Sequence, residues 1–334
     1  MKASVFILGE RPYQLVFGPL ERKAIESQVE VKGVFDSRGK ALKHPELLKD
    51  VEIIFSGWGG PKIDEEFLAK APSLKLVLHA AGSVRPIVSE AFWKHGVRIC
   101  SAYGENAVPV SEFTFAAVVF CLKRAFYFQR KVSKERKYQS TFPGPDVPGC
   151  YGTTVGIVSV GMVGRRVCQL LRNLEVRILA YDPYVRPEDA KNLGIDSLCS
   201  LEDLFRSSDV VTLHTPLLPE TEGMIRYHHL TLLKEGASFI NTSRGAVVNE
   251  PELIRFLQER PDVQAVLDVT HPEPPTPESP LYDLPNVFLT PHLAGSLGGE
   301  CRRMGQYMVE ELGRYLRGEP LRWEITKERF AISA

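Results

Sequence analysis

Residues 154–165 read Thr154-Val155-Gly156-Ile157-Val158-Ser159-Val160-Gly161-Met162-Val163-Gly164-Arg165. The apolar run 155–158 reads as a strand, and Ser159 to Gly164 as a glycine turn. A helical pattern follows, with Val167, Leu170, Leu171 and Leu174 on one face. A second apolar run, 176–181, ends in Asp182. Strand, glycine turn, helix, strand and acid in this order form a dinucleotide-binding fingerprint. Gly161 lets the backbone approach a pyrophosphate, and Gly164 lets the helix pack closely on its strand. The N–H groups at the helix start, at Met162 and Val163, point at the phosphates. Asp182 stands 18 residues beyond Gly164, near the usual spacing of about 20. Its carboxylate suits an adenosine ribose. Ser159 occupies the place of the usual first glycine, which alters the turn but leaves the approach at Gly161 open.

The length of 334 residues suggests two domains. Basic and acidic residues balance at 41 each, so no global field draws in nucleic acid or membrane. The most basic stretch, 123–137, reads as a partly solvated helix that continues the apolar face of Phe115, Val119 and Leu122. The N-terminal run 3–8 is too short for a signal peptide and reads as a first strand. No run reads as long enough to span a membrane. The six cysteines are scattered and form no Cys-x-x-Cys pair. They point to reduced thiols in a cytoplasmic protein, and no metal is expected.

The N-terminal part alternates strands, expected at 4–8, 29–35, 52–56, 74–79 and 98–101, with helices such as 63–71 and 89–94. A long apolar helix is expected from Ser111 to about Arg130, and a Pro- and Gly-rich loop at 143–149. The βα pattern restarts at Val155, with later strands at 177–181, 210–214, 238–241, 265–269 and 287–290. Ser200 reads as a helix cap, and 272–285 as a proline-rich loop. After Gly299 one helix is expected, from Glu300 to about Arg317, packed on the first domain. The fold class is therefore α/β, with two Rossmann-like or flavodoxin-like doubly wound parallel-sheet domains and an active-site cleft between them. Residues 1–103 plus 296–334 form the expected catalytic domain, and 104–295 the dinucleotide-binding domain.

Three further blocks gather polar residues at strand ends: Asn241-Thr242-Ser243-Arg244-Gly245, Leu267-Asp268-Val269-Thr270-His271-Pro272-Glu273 and Thr290-Pro291-His292. Together with the fingerprint they resemble the D-isomer-specific 2-hydroxyacid dehydrogenases. The resemblance is dense from about Asn106 to Ser296 and thin before His79. It implies that Arg244 binds the substrate carboxylate, that His292 is the acid/base supported by Glu273, and that Asp268 holds the nicotinamide amide. It further places Thr215, Pro216, Thr242, Ser243, Arg244, His292, Ala294 and Gly295 along the cofactor. NAD is the implied cofactor, a small 2-keto or 2-hydroxy acid the implied partner, and the long helix implies a homodimer. The chemistry gives each role independent sense. A guanidinium grips a carboxylate bidentately. An imidazolium supplies a proton to a carbonyl as hydride arrives, and a neighbouring carboxylate favours that charged form.

Departures from the family pattern concern the substrate. The loop that usually reads Gly-x-Gly-x-Asp-Asn stands here as Ala81-Gly82-Ser83-Val84-Arg85-Pro86. Backbone N–H groups near Gly82 and Ser83 are expected to hold the keto acid. Arg85 meets either a substrate tail or a neighbouring acid. Ser56 and His79 stand where phosphoglycerate members carry arginines, and Glu273 where formate dehydrogenases carry Gln, so both substrates are disfavoured. His79 and Trp58 lie near strand ends and are candidates for shaping the pocket, and His271 reads as loop decoration. A second functional reading is an NAD(H)-sensing, corepressor-like binding protein on the same fold.

Overall fold

Apolar residues alternate along the strands, so each strand feeds two cores at once. The computed structural model, which describes residues 1–137 and 147–332, divides into two units: 1–107 with 296–334, and 108–295.

The first unit holds β1 (Ala3–Ile7), β2 (Glu30–Phe35), β3 (Val51–Ser56), β4 (Leu76–His79) and β5 (Arg98–Ser101). All pair in parallel in the order β2-β1-β3-β4-β5. This is the flavodoxin-like arrangement. Val5 and Ile7 of β1 enter one core, whereas Phe6 and Leu8 enter the other. Phe6 stacks on Phe55 of β3 with ring centroids 4.9 Å apart. Burying each such ring is worth about 1.5–3 kcal/mol. The helix Cys301–Leu316 covers the second core with Met304, Tyr307, Met308 and Leu312.

The second unit holds β6 (Tyr151–Val158), β7 (Glu175–Tyr181), β8 (Ser197–Leu198), β9 (Val210–Leu213), β10 (Ser238–Asn241), β11 (Gln264–Leu267) and β12 (Val287–Leu289). Their order is β12-β11-β10-β9-β6-β7-β8, all parallel. Strand order reverses at β6, so the glycine turn after β6 sits at the switch point where such sheets bind ligands. Phe239 and Ile240 of β10 divide between the two cores, as do Leu267 and Val266 of β11.

Most expected strands are present with ends shifted by one or two residues. Ser200 caps the helix Leu201–Ser207 by accepting the Asp203 N–H. The long helix differs from expectation. It runs Tyr103–Leu122 with Pro109 inside, and a second helix runs Ala125–Glu135. Arg124 between them has φ 50°, and this left-handed residue breaks the helical ladder that the apolar periodicity alone carries through. The helix Tyr103–Leu122 is long and apolar enough to cross a membrane by length and composition, contrary to the sequence expectation. Glu105, Pro109 and Glu112 interrupt its apolar run in sequence. Half of it is buried, and Ala117, Val118, Cys121 and Leu122 belong to a core of the second unit. The C-terminal part also has a second short helix, Lys327–Ala331, capped by Thr326. Of the loop expected at 143–149, residues 143–146 lie outside the described residues. All six cysteines are free.

Candidate active site

The glycine turn begins at Ser159, whose φ is 72°. Serine here adopts the left-handed backbone that glycine takes without cost. Its hydroxyl bonds the Thr215 hydroxyl at 2.9 Å, tying the turn to the end of β9. A Cβ at Gly164 would lie 2.3 Å from the Ser159 carbonyl oxygen, so only glycine fits there. A Cβ at Gly161 would meet nothing within 4 Å. Gly161 caps the helix Met162–Leu171 without any side-chain hydrogen bond, and the N–H groups of its first turn have no acceptor within the helix. Asp182 accepts the Val160 N–H at 2.7 Å and the Tyr184 N–H at 2.8 Å, so it shapes the turn at the end of β7. Pro216 follows Thr215, and its carbonyl accepts the Thr221 hydroxyl at 2.6 Å.

Sequence patterning does not single out His214, which sits beside Thr215. It is buried, and burial pushes its imidazole down to about 3. Its Nδ1 has no partner among the described residues. The open backbone at Gly161, the uncapped helix start and this unpartnered nitrogen all fit a bound dinucleotide.

The three polar blocks emerge from β10, β11 and β12, which are adjacent. Asn241 organises the first. Its Oδ1 accepts the Ser243 N–H at 3.0 Å and the Ser243 hydroxyl at 2.8 Å, and its amide donates to the Arg244 carbonyl at 3.1 Å. The Thr242 hydroxyl bonds that of Thr114 at 2.9 Å. Arg244 is half-buried and donates from Nη1 to the Ser243 carbonyl at 2.6 Å. Burial pushes its guanidinium below the ordinary value, and the Glu273 charge opposes that drop. A Cβ at Gly245 would stand 2.0 Å from the Thr270 carbonyl carbon. The Arg244 loop and the loop after β11 therefore touch backbone to backbone.

Asp268 is buried at the end of β11. Its Oδ1 accepts the Thr290 hydroxyl at 2.7 Å and the Leu293 N–H at 2.8 Å, and Oδ2 accepts the Ala294 N–H at 2.9 Å. The His292 N–H bonds the Asp268 carbonyl at 2.9 Å. Asp268 thus builds the turn that presents His292, a task the sequence reading does not give it. One acceptor position on Oδ2 remains for a nicotinamide amide. Within this turn His292 has φ 52°. Its Nδ1 lies 2.5 Å from Oε1 of Glu273, which fixes the tautomer. Both side chains are nearly half exposed, 46% and 42%, and Nε2 has no protein partner among the described residues. Gly295 closes the unit. Arg244, Glu273 and His292 therefore come together. His271 does not join them. It is exposed, and its N–H bonds Glu250 at 2.7 Å.

In the first unit the loop after β4 is braced from below. Buried His79 meets the Ser56 hydroxyl at 2.8 Å through Nδ1. Burial pushes its imidazole down to about 4, opposed by a backbone hydrogen bond to Ser83. The Ser101 hydroxyl bonds the carbonyls of Ala81 and Gly82 at 2.9 and 2.6 Å. Ser83 accepts the Arg85 N–H at 3.3 Å. The N–H groups of Gly82 and Ser83 have no acceptor among the described residues. Arg85 is placed over the Phe330 ring, a partner that the sequence reading does not anticipate. Trp58 is 38% exposed just past β3. Elsewhere, Glu202, His228 and His229 place possible metal ligands within 4.8 Å of one another. His229 Nδ1 already accepts the Arg226 N–H at 3.2 Å. That puts the ring proton on Nε2, where a metal would need the lone pair.

Residues 115–294 match the family model described as D-isomer specific 2-hydroxyacid dehydrogenase, NAD binding domain. The chain belongs to this family. It binds NAD through that domain. A D-3-phosphoglycerate dehydrogenase of Archaeoglobus fulgidus is 31% identical over 92% of this chain and 58% of its own length. A glyoxylate reductase of Korarchaeum cryptofilum is 34% identical over 82% of each chain. The 2-hydroxyacid dehydrogenase fold is also seen in a D-lactate dehydrogenase of Aquifex aeolicus complexed with NAD and lactic acid. That structure has TM-score 0.73 and 26% identity, covering 95% of this chain and 96% of that one. The chain spans little more than half the length of the phosphoglycerate relatives it matches.

Proposed function

We propose that this protein is an NAD-dependent dehydrogenase that interconverts a small 2-hydroxy acid and its 2-keto acid. The observation that carries the reading is the Glu273–His292 bond formed within reach of the Arg244 charge. Arg244 grips the substrate carboxylate. Glu273 holds the proton on Nδ1 of His292, so in the reducing direction Nε2 donates to the carbonyl oxygen and in the reverse direction takes that proton back. When bound, NAD exchanges hydride with C2. Met162, Val163, Gly164, Thr215, Pro216, Thr242, Ser243, Asp268, Ala294 and Gly295 line the cofactor. NADH oxidation with glyoxylate and pyruvate tests the reading. Turnover is expected, and NADH binding with no turnover on any 2-keto acid would overturn it.

Cofactor choice follows from Asp182. A 2′-phosphate would bring a second negative charge against its carboxylate. Arg186, the nearby cation that could offset this, is paired with Asp189 at 3.0 Å. Fluorescence titration should therefore show tighter NADH than NADPH binding, and equal or tighter NADPH binding would remove Asp182 from this role. A homodimer in the cytoplasm completes the proposal. Phe120, Phe126 and Phe288 form an aromatic ladder, with Phe120 and Phe288 53% and 39% exposed. Such a surface suits a second copy. Sedimentation at twice the chain mass checks it.

A further inference from the structure

Ser159 is held on three sides at the head of the glycine turn. Its N–H donates to the Tyr181 carbonyl at 2.8 Å. Its carbonyl oxygen faces Gly164, where no Cβ fits. Its hydroxyl meets the Thr215 hydroxyl at 2.9 Å. The backbone is left-handed, with φ 72°, a conformation that glycine takes without the strain serine carries. Glycine would serve the turn alone better, so the hydroxyl is what serine adds.

Two hydroxyls carry two donors, and this pair makes one hydrogen bond between its members. Neither hydroxyl has another partner among the described residues. Thr215 is 3% exposed, and leaving its O–H unpaired would cost the full desolvation of that group. Its proton therefore goes to the Ser159 oxygen. Ser159 itself is half-buried. Its own O–H is left over, on the turn that opens the helix Met162–Leu171.

We propose that Ser159 is a cofactor-binding residue, whose O–H donates to a pyrophosphate oxygen of NAD while its oxygen accepts from Thr215. The inference rests on NAD binding by this domain and not on the acid/base chemistry. A hydroxyl donating to a charged oxygen makes a strong bond. The Thr215 donor polarises the Ser159 O–H further, so Thr215 also acts through Ser159, as a positioning residue.

Binding to the full chain decides the matter. NADH is titrated by fluorescence, then displaced with ADP-ribose, which carries the pyrophosphate, and with adenosine, which does not. Ser159→Gly and Ser159→Ala both delete the hydroxyl, the first with relief of the backbone strain and the second without it. Each should raise the dissociation constants of NADH and ADP-ribose about tenfold, near the lower end for a hydrogen bond to a charged group. Adenosine binding should not change. Thr215→Val leaves the Ser159 donor in place and removes its polarisation, so it should cost less than Ser159→Ala. Thr215→Ser keeps the buried donor and should bind NADH more tightly than Thr215→Val. Adding Thr215→Val to Ser159→Ala should cost no further affinity.

Unchanged NADH affinity in either Ser159 variant would overturn the inference. So would an equal loss for adenosine, which marks a loosened turn. A Thr215→Val loss matching that of Ser159→Ala would overturn it too, because the pair would then be a tie between loops rather than a donor. All these readouts are binding constants. Absence of turnover with every keto acid would therefore overturn the dehydrogenase proposal and leave this inference standing.

Discussion

His292→Ala is expected to lower the turnover of 2-keto acids by about 10²–10⁴-fold, the usual contribution of a positioned general acid, while NADH still binds. The backbone at His292 is left-handed, which alanine adopts with strain. Asparagine tolerates that conformation better, so His292→Asn should keep the turn and show the same catalytic loss. Undiminished turnover in both variants would remove the histidine from the chemistry. Glu273→Gln keeps the shape of the pair and deletes its negative charge. The amide no longer requires the ring proton on Nδ1, so the ring loses its fixed tautomer and kcat for 2-keto acid reduction should fall. An unchanged kcat would show that Glu273 does not act through His292.

Arg244→Lys should fail to rescue substrate binding. Lysine is a compact point charge and cannot make two parallel bonds to a carboxylate. Losing a desolvated, charge-paired contact costs about 2–5 kcal/mol, so kcat/KM should fall by roughly 30-fold or more. Arg244→Lys retaining near-native kcat/KM would argue against a planar two-bond grip. Burial disfavours the Arg244 charge and Glu273 opposes that drop, so the same position also feels the carboxylate of the acid/base pair.

Much of this arrangement is legible in the sequence because it rests on local rules. The strand–turn–helix unit around Gly161 and the three blocks ending in Arg244, Glu273 and His292 are contiguous in the chain, and parallel βα order brings them to one edge of the sheet. Ser159 shows where the local rule bends. Serine replaces the expected glycine, yet adopts the same left-handed backbone, held by Thr215. What escapes the sequence is long-range. Asp268 gathers donors from Thr290, Leu293 and Ala294, more than twenty residues away. Arg85 meets Phe330 across 245 residues. Neither distance leaves a periodic signal. The break at Arg124 is missed for the opposite reason, since the apolar pattern continues across it while the backbone does not.

The contact between Gly245 and Thr270 carries a consequence for how this site can change over time. With no room for a single carbon between the two backbones, the loop bearing Arg244 and the loop bearing Glu273 move as one piece. A substitution that shifts either loop is felt at both the carboxylate grip and the proton donor. Selection for a new substrate therefore cannot tune these loops independently. Paired changes across the contact should be strongly non-additive, whereas the Arg85 loop in the first unit remains free to diverge.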